Sequence, residues 1–396
     1  MERVLRMAAE TVPYYNNLFA ENGIDVTNGN IQEVFLKIPV TDKETIKQYG
    51  WPNFVDQNYL DDNHNLIRNQ RVHITQTSGT TGEPMHILWN KKEYYISTRE
   101  HWKRRYAISQ IKATDRRCSI SYDNRTEDPF LLNLYQFQIR IGRINYNNTL
   151  EYLKKWKEFK PIWLYMPASV LAYFVNVAIC EKIDIKGTIR YIEFAEEPMV
   201  AYYRKIVEDY FGLKGYDMYG CQETNGIAMQ CKHGHLHLME GNILAEIYNN
   251  GSFSKYGTGN MCVTGLHNSA MPFIRYKLND TVTISKSYCT CGDNSPIVSV
   301  LSNRFTVCTY LFGKNGTVIY PASLLPNINS VHTIPFRFNL DVNGSVFSFL
   351  CDEDHVQKYS CVMSKVFEEF GIISKHIRFS STTEISSIHH SGVLLF

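Results

Sequence analysis

The chain has 396 residues, enough to bury a large core and, at ordinary domain sizes, to divide in two. Its formal net charge of +2 excludes a general attraction to nucleic acid or to an anionic membrane surface. The start, Met-Glu-Arg-Val-Leu-Arg, is charged and amphipathic and unlike a secretory leader, so a cytoplasmic chain with its 10 cysteines mostly reduced is the expectation.

Residues 1–22 carry a helical pattern broken by Pro13. Lys37–Lys43 reads as a turn in which Thr41 or Asp42 caps the next helix. His73-Ile74 and Met85–Trp89 read as the strands of a hairpin. Lys91–Ser109 predicts one long amphipathic helix, Arg117–Tyr122 a strand and Leu150–Phe159 a helix. The uncharged run Ile162–Cys180 is long enough to suggest a membrane span, but Pro167 breaks it and Asn176 interrupts it. A strand, a loop and a buried helix opened by Ser169 fit it better. Thr188–Phe194 predicts a strand and Pro198–Phe211 a helix. The basic runs Lys103-Arg104-Arg105 and Lys154–Lys160 read as solvated helix faces. This alternation predicts an α/β fold with a substantial parallel or mixed sheet flanked by helices. From Asn242 to Ile284 the pattern changes to short strands and turns, a β-rich portion. After about Ser302 come strands, a helix at Asp354–Phe370 and a last strand, a small α+β domain. The expected division is therefore 1–302 and 303–396.

Thr75–Pro84, Thr-Gln-Thr-Ser-Gly-Thr-Thr-Gly-Glu-Pro, is too polar to pack a core. Glycines let a backbone close on an anion, successive N–H groups form a nest for phosphate oxygens, and hydroxyls add donors that rotate to suit the ligand. A flexible polar loop is the alternative reading. The loop is not a Walker P-loop, because Glu83 follows the last glycine where that pattern needs lysine. In Tyr219-Gly220-Cys221-Gln222-Glu223 a ring able to stack on a purine precedes a carboxylate able to hold Mg²⁺, although the run taken alone reads better as a surface turn. In Arg275-Tyr-Lys-Leu-Asn-Asp280 the aspartate could accept from both ribose hydroxyls.

A fourth pattern is metal-like. Cys231-Lys-His233-Gly-His235-Leu-His237 is followed by Cys289-Thr-Cys291-Gly. Two ligands at each of two turns would pin two hairpins through a closed zinc tetrahedron. The spacing leaves open which histidine ligates.

Taken in order along nearly the whole chain, these motifs resemble the adenylate-forming (AMP-binding) enzymes, in particular the branch of phenylacetate–CoA ligase and its capsule-biosynthesis relatives. Thr77, Ser78, Gly79, Thr80, Thr81 and Gly82 look like the phosphate loop, and Tyr219, Gly220 and Glu223 like the Tyr-Gly-X-X-Glu motif. Asp280 resembles the ribose aspartate, Arg304 the hinge arginine, and Glu197-Pro198 the segment beside the adenine. Tyr165–Ala168 resembles the segment before the acyl-pocket helix. Zinc-bearing members of the family show Cys, then Gly-X-His, then Cys-X-Cys-Gly. That pattern selects Cys231, His237, Cys289 and Cys291, with His233 and His235 as runners-up because His235 occupies the glycine position.

The resemblance implies ATP-dependent activation of a small carboxylic acid as an acyl-adenylate, with ATP/AMP and Mg²⁺ bound, a structural zinc, and transfer to CoA. It also implies a mobile C-terminal domain and suggests a homodimer. A second implication is amide formation on an amine acceptor in capsule or O-antigen polysaccharide synthesis. A third is a weakened nucleotide-binding homologue, because the family's C-terminal Ser-Gly-Lys reads Ser391-Gly392-Val393 here. The hinge aspartates are absent too, the run being Asn303-Arg304-Phe305-Thr306-Val307.

Overall fold

The structure is a computed structural model. It describes residues 1–26, 30–67, 72–77, 85–121, 128–140, 144, 146–195, 201–286 and 289–302, and beyond these 311–312, 318–319, 333–341, 344–349, 356–357, 360–361, 364, 377–381 and 391–395. The chain forms two compact units. One comprises Met1–Gly79, Pro84–Ile108 and Met218–Asn303; the other comprises Thr80–Glu83, Ser109–Asp217 and Arg304–Phe396.

The first unit opens with helices α1 (Glu2–Thr11) and α2 (Pro13–Glu21). Pro13 stands at the first turn of α2, where its missing N–H costs nothing. Helix α3 (Ile31–Leu36) is capped by Asn30, and α4 (Lys43–Tyr49) by Asp42, whose Oδ1 accepts the Thr45 N–H at 3.0 Å in a capping box. Thr41 has a different task. It is bridged to Tyr276, its N–H donating to the Arg275 carbonyl at 3.0 Å and its own carbonyl accepting from the Lys277 N–H at 2.8 Å.

Arg275 fixes this junction. It holds a left-handed φ of 47°, and its side chain is 1% exposed. Its guanidinium donates to both carboxylate oxygens of Glu246 at 3.1 and 2.8 Å and to the Leu36 and Ile38 carbonyls at 3.1 and 2.7 Å. Such a fork satisfies a buried cation that would otherwise be costly.

Strands β1 (Val72–Gln76) and β2 (His86–Asn90) form the expected hairpin, paired from Val72↔Asn90 to Gln76↔His86. The predicted long helix is two helices, α5 (Lys91–Ser97) and α6 (Arg99–Ser109). The hydroxyls of Ser97 and Thr98 bond back to the Tyr94 and Tyr95 carbonyls, and the Ser97 carbonyl accepts from Asn242 Nδ2 at 2.7 Å. Consecutive hydroxyls that compete for helix carbonyls, with a side chain from another element at the break, interrupt the ladder there.

The second unit carries the α/β layer. Strands β3 (Arg117–Ser121), β4 (Phe130–Leu132) and β5 (Gln136–Arg140) precede helix α7 (Tyr146–Phe159), strand β6 (Trp163–Tyr165) and helix α8 (Ala168–Cys180). Strand β7 (Tyr191–Phe194), helix α9 (Ala201–Phe211) and the first three residues of strand β8 (Gly215–Tyr219) complete it, Met218 and Tyr219 belonging to the first unit. The order is β8-β7-β6-β3-β5-β4, parallel except for the edge pair β4/β5. Cys118, Ile120, Phe137, Ile139, Leu164, Ile192 and Phe194 pack with residues of α7, α8 and α9 in one core. Helix α8 begins at Ala168 after Pro167 and no side chain caps it, so Ser169 lies inside the helix and does not open it. Among the described residues no helix is long and apolar enough to cross a membrane.

Back in the first unit, β9 (Ala228–Gln230), β10 (Leu236–Leu238), β11 (Ile243–Asn249), β12 (Ser252–Ser254), β13 (Gly257–Gly265), β14 (Tyr276–Ser285) and β15 (Ile297–Ser302) form an antiparallel sheet. Its order is β12-β11-β13-β14-β15-β10-β9. Strands β13 and β14 are longer than the short strands expected. The C-terminal region has the hairpin β16 (Leu311–Phe312) and β17 (Val318–Ile319). There β18 (Thr333–Asp341), β19 (Gly344–Phe349), β20 (Ile377–Ser381) and β21 (Ser391–Leu395) pair in the order β20-β19-β18-β21. Helical residues at 356–357, 360–361 and 364 fall within the predicted helix, the rest of which lies outside the described residues.

Candidate nucleotide site and metal knuckle

The Tyr-Gly-Cys-Gln-Glu motif is the connection from β8 to β9. Met218 and Tyr219 pair with Met229 and Ala228, and the Ile227 N–H donates to the Tyr219 carbonyl at 2.9 Å, so the loop is closed at its base. Within it the Asn225 N–H donates to the Cys221 carbonyl at 2.9 Å, and Asn225 takes a left-handed φ of 63° that asparagine tolerates. Three side chains clamp the turn. Trp89 Nε1 donates to the Gln222 carbonyl at 3.2 Å, Asn225 Nδ2 donates to Ser97 Oγ at 2.8 Å, and the Cys221 thiol lies 3.3 Å from Thr224 Oγ1. Gly226 is needed for space, since a Cβ there would meet His101 Nε2 at 2.4 Å. Burial pushes the Cys221 thiol up, and nearby Glu223 adds to the effect.

This turn buries Glu223, which is 4% exposed, and its Oε2 has no hydrogen-bond partner among the described residues. A carboxylate oxygen withdrawn from water without a donor is costly. A divalent cation with oxygen ligands would satisfy it, so the position fits Mg²⁺.

Asp280 lies at a disruption in the sheet. The register between β13 and β14 jumps from Asn260↔Thr281 to Cys262↔Lys277, so Met261 alone faces Leu278, Asn279 and Asp280. Such irregularities re-aim side chains. Asp280 is 7% exposed and accepts the Tyr219 hydroxyl on Oδ2 at 2.7 Å. Tyr219 and Asp280, 61 positions apart in sequence, are thus joined directly.

Thr77 closes the polar loop. Its N–H donates to the Met85 carbonyl at 2.9 Å, and its hydroxyl oxygen accepts the Met85 N–H at 2.9 Å, one pair beyond the last register position of the hairpin. Ser78, Gly79, Thr80, Thr81 and Gly82 lie outside the described residues, as do Glu197, Pro198 and Arg304. Gly220 is described and exposed, with space for a Cβ limited by Gly226 Cα and Met218 Sδ, both at 3.2 Å.

Cys231, His237, Cys289 and Cys291 meet, with their four ligand atoms within 4.8 Å of one another. Cys231 Sγ lies 3.7 Å from Cys289 Sγ, and Cys291 Sγ lies 3.4 Å from His237 Nε2. A zinc tetrahedron with ordinary Zn–S lengths of about 2.3 Å has S···S edges of about 3.8 Å. The donor set and spacing therefore fit zinc. His237 Nδ1–H donates to the Ser295 carbonyl at 3.0 Å, which leaves Nε2 as the free lone pair on the cluster side. His237 is fully buried. His235 and His233 are exposed; His235 Nδ1 stands 3.3 Å from Cys289 Sγ, the position of an outer donor. The Cys291 N–H and the imidazoles of His235 and His237 hold the Cys289 thiol down at about 5, while burial pushes the Cys291 thiol up to about 11.

Arg104 was expected on a solvated face. Its side chain is instead only 15% exposed, ion-paired with Asp293 at 2.7 Å and donating to the Leu238 carbonyl at 2.9 Å. Arg105 is buried over the Trp102 ring. The His101–Gly226 contact and the Arg104–Asp293 pair had no motif to announce them. The one local sign was the Asn225-Gly226 dipeptide, a turn signal.

With its mixed α/β sheets and flanking helices, this is the fold of the adenylate-forming (AMP-binding) enzymes. A solved 2-hydroxyisobutyryl-CoA ligase in complex with 2-HIB-AMP and CoA in its thioesterification state superposes with a TM-score of 0.64 at 16% identity, covering 96% of this chain and 84% of that one. An open conformation of such a ligase, also with 2-HIB-AMP and CoA, gives 0.62 at 18% identity over 82% and 76%. In sequence the chain is a relative of phenylacetate–coenzyme A ligases. It is 22% identical over 358 residues to that of Thermus thermophilus, which spans 82% of this chain and 73% of the relative. It is 25% identical over 298 residues to that of Pseudomonas putida, which spans 70% and 63%. No protein-family model matches the chain.

Proposed function

We propose that this protein activates a small carboxylic acid with ATP and passes the acyl group to the thiol of CoA. A carboxylate oxygen attacks the α-phosphorus and pyrophosphate leaves; the thiolate then attacks the acyl carbonyl and AMP leaves. The observation that carries this reading is the Tyr219–Asp280 bond together with a buried carboxylate four residues after Tyr219, Glu223, with an oxygen left for a cation.

The roles follow from the chemistry of each group. The Tyr219 ring stacks on the adenine while its hydroxyl holds Asp280 in place. The aspartate keeps lone pairs for ribose hydroxyls. The Thr77–Met85 pair fixes the base of the loop from Ser78 to Gly82, which wraps phosphate oxygens and steadies the charge of the leaving pyrophosphate. Glu223 would hold Mg²⁺, which offsets charge on the phosphates when bound. Glu197, Pro198, Gly220 and Arg304 complete the nucleotide contacts by resemblance. Cys231, His237, Cys289 and Cys291 would hold a zinc ion with every position filled by protein, a structural role. No side chain acts as a covalent nucleophile, and the rate comes from positioning and charge stabilisation.

ATP–pyrophosphate exchange across a library of carboxylic acids tests this, followed by thioester assay with CoA. Exchange with at least one acid and thioester formation support it. Pyrophosphate release without a thioester moves the acceptor from a thiol to an amine. One observation favours a weakened enzyme: Val393 stands where the family carries lysine, and it lies within strand β21 opposite Pro335. ATP binding with no exchange for any acid would decide for that reading.

A further inference from the structure

We propose that Arg104 is a positioning residue that couples the metal knuckle to the turn carrying Glu223, so that occupancy of the knuckle sets the geometry of the magnesium position. The functional meaning of that turn rests on the adenylating reading above; the mechanical coupling does not.

The path lies within the first unit and each step is a contact. Asp293 sits two residues beyond the ligand Cys291, and its backbone N–H donates to Cys291 Sγ at 3.4 Å. The same aspartate accepts the Ser295 N–H at 2.9 Å, and the Ser295 carbonyl receives His237 Nδ1–H at 3.0 Å. Asp293 therefore belongs to the loop that orients two ligands. Its carboxylate pairs with Arg104 at 2.7 Å, and Arg104 also donates to the carbonyl of Leu238, the neighbour of the ligand His237. Arg104 thus reads both halves of the knuckle from one helix, α6.

One turn earlier on α6, His101 packs over Gly226, where a Cβ would come within 2.4 Å of its Nε2. At the junction of α5 and α6, Ser97 accepts from Asn225 Nδ2 at 2.8 Å. Gly226 and Asn225 are the far end of the turn that buries Glu223. The sheet supplies a second link, since His237 on β10 pairs with Met229 on β9, which follows the turn directly. The ligand His237 on β10 and the strand that leaves the Glu223 turn, β9, are thus hydrogen-bonded neighbours, with α6 touching both the knuckle and the turn. Close-packed contacts of this kind transmit a shift because they have no slack to absorb it.

The test uses full-length, zinc-loaded protein and the variants Arg104→Gln, Arg104→Lys and Asp293→Asn, each with its zinc content measured. The first readout is amide hydrogen exchange of the 221–227 turn against a control segment, 243–265, and needs no nucleotide. Arg104→Gln is expected to keep its zinc and speed exchange of the turn by about tenfold with the control unchanged. Arg104→Lys should restore part of the protection, since it keeps the charge. Chelation of wild-type zinc should speed the turn at least as much as Arg104→Gln does. The second readout is ATP affinity with and without Mg²⁺, where Arg104→Gln should lose about tenfold only in the presence of the cation. Unchanged exchange in a zinc-loaded Arg104→Gln protein overturns the coupling, as does equal acceleration in the control segment. Faster exchange at the turn in a protein that binds no ATP would sustain the coupling while removing the adenylating reading. Should Arg104→Gln fail to fold, Asp293→Asn cuts the same ion pair from the other side and carries the same expectations.

Discussion

Tyr219 Oη donates to Asp280 Oδ2 at 2.7 Å, joining the aromatic motif after β8 to the irregular register of β14. The bond separates two duties of the tyrosine. Tyr219→Phe keeps the ring for stacking and removes only the aspartate's brace, so ATP affinity should fall by a few-fold. Asp280→Ala removes the acceptor of the ribose hydroxyls. Hydrogen bonds to charged groups contribute about 1.5–3 kcal/mol, so that variant should lose roughly 10- to 100-fold. Titration calorimetry with ATP and with ATP lacking its ribose 2′-hydroxyl checks both. An Asp280→Ala protein that still discriminates the deoxy nucleotide as the wild type does would remove Asp280 from the ribose.

Glu223 leads to opposite effects on stability and activity. Its Oε2 is buried without a partner among the described residues. Glu223→Gln replaces a charge by a neutral amide of the same shape, so the metal-free protein should gain stability. The same change removes the anionic ligand proposed for Mg²⁺ and should lower pyrophosphate exchange on the order of 10²-fold. Melting temperature and exchange rate measured on one preparation test the pair. A variant that is less stable and fully active would mean that Glu223 serves the fold alone.

The knuckle separates ligand from neighbour. His237 is buried with Nε2 at 3.4 Å from Cys291 Sγ, whereas His235 is exposed with its Nδ1 at 3.3 Å from Cys289 Sγ. His237→Ala and Cys291→Ser should each abolish stoichiometric zinc. His235→Ala should keep one zinc and weaken its binding by about 10- to 100-fold, the usual effect of losing an outer-shell partner. Metal analysis with competition by a chromogenic chelator reads both outcomes. Loss of zinc in His235→Ala, with retention in His237→Ala, would exchange their roles.

These residues differed in how clearly the sequence declared them. The βαβ alternation announced the parallel sheet because each strand and helix has its own period, and Pro13 marked a helix boundary because it lacks an N–H. Asp280 was visible as a chemical type, and a closer sign accompanies it: it occupies a core-face position in the alternation Tyr276, Leu278, Asp280, Val282, Ile284. A carboxylate in a row of buried apolar residues calls for a partner. The four metal ligands were legible through cysteine spacing, but the choice of His237 over His235 depends on which ring faces inward, which the spacing leaves open. Arg104, His101 and Gly226 gave no comparable sign, because their importance lies in contacts between segments more than 100 residues apart. The split of Lys91–Ser109 was hidden for the same reason, since Asn242 acts on Ser97 from a remote loop.

Asp217 gives the chain a pH dependence of unusual sign. In the second unit it is ion-paired with Arg204, which also donates to the Gly215 carbonyl at 2.8 Å. Burial nonetheless pushes its carboxyl up to about 6; Arg204 opposes the rise and Glu208 adds to it. An unfolded aspartate titrates near 3.9. Between about pH 4 and pH 6 the folded state therefore binds more protons than the unfolded state at this site. Where the folded state binds more protons, stability falls as pH rises. The site's contribution should decline from about pH 4 to pH 6, by at most about 1.4 kcal/mol per pH unit, and level off above. Most carboxylates in ion pairs slope the other way. Asp217→Asn should remove this decline, so that between pH 4 and 6 its stability, measured by urea unfolding, gains on the wild type as pH rises. If the difference between the two proteins stays constant across that window, the carboxyl of Asp217 is not raised in the folded state.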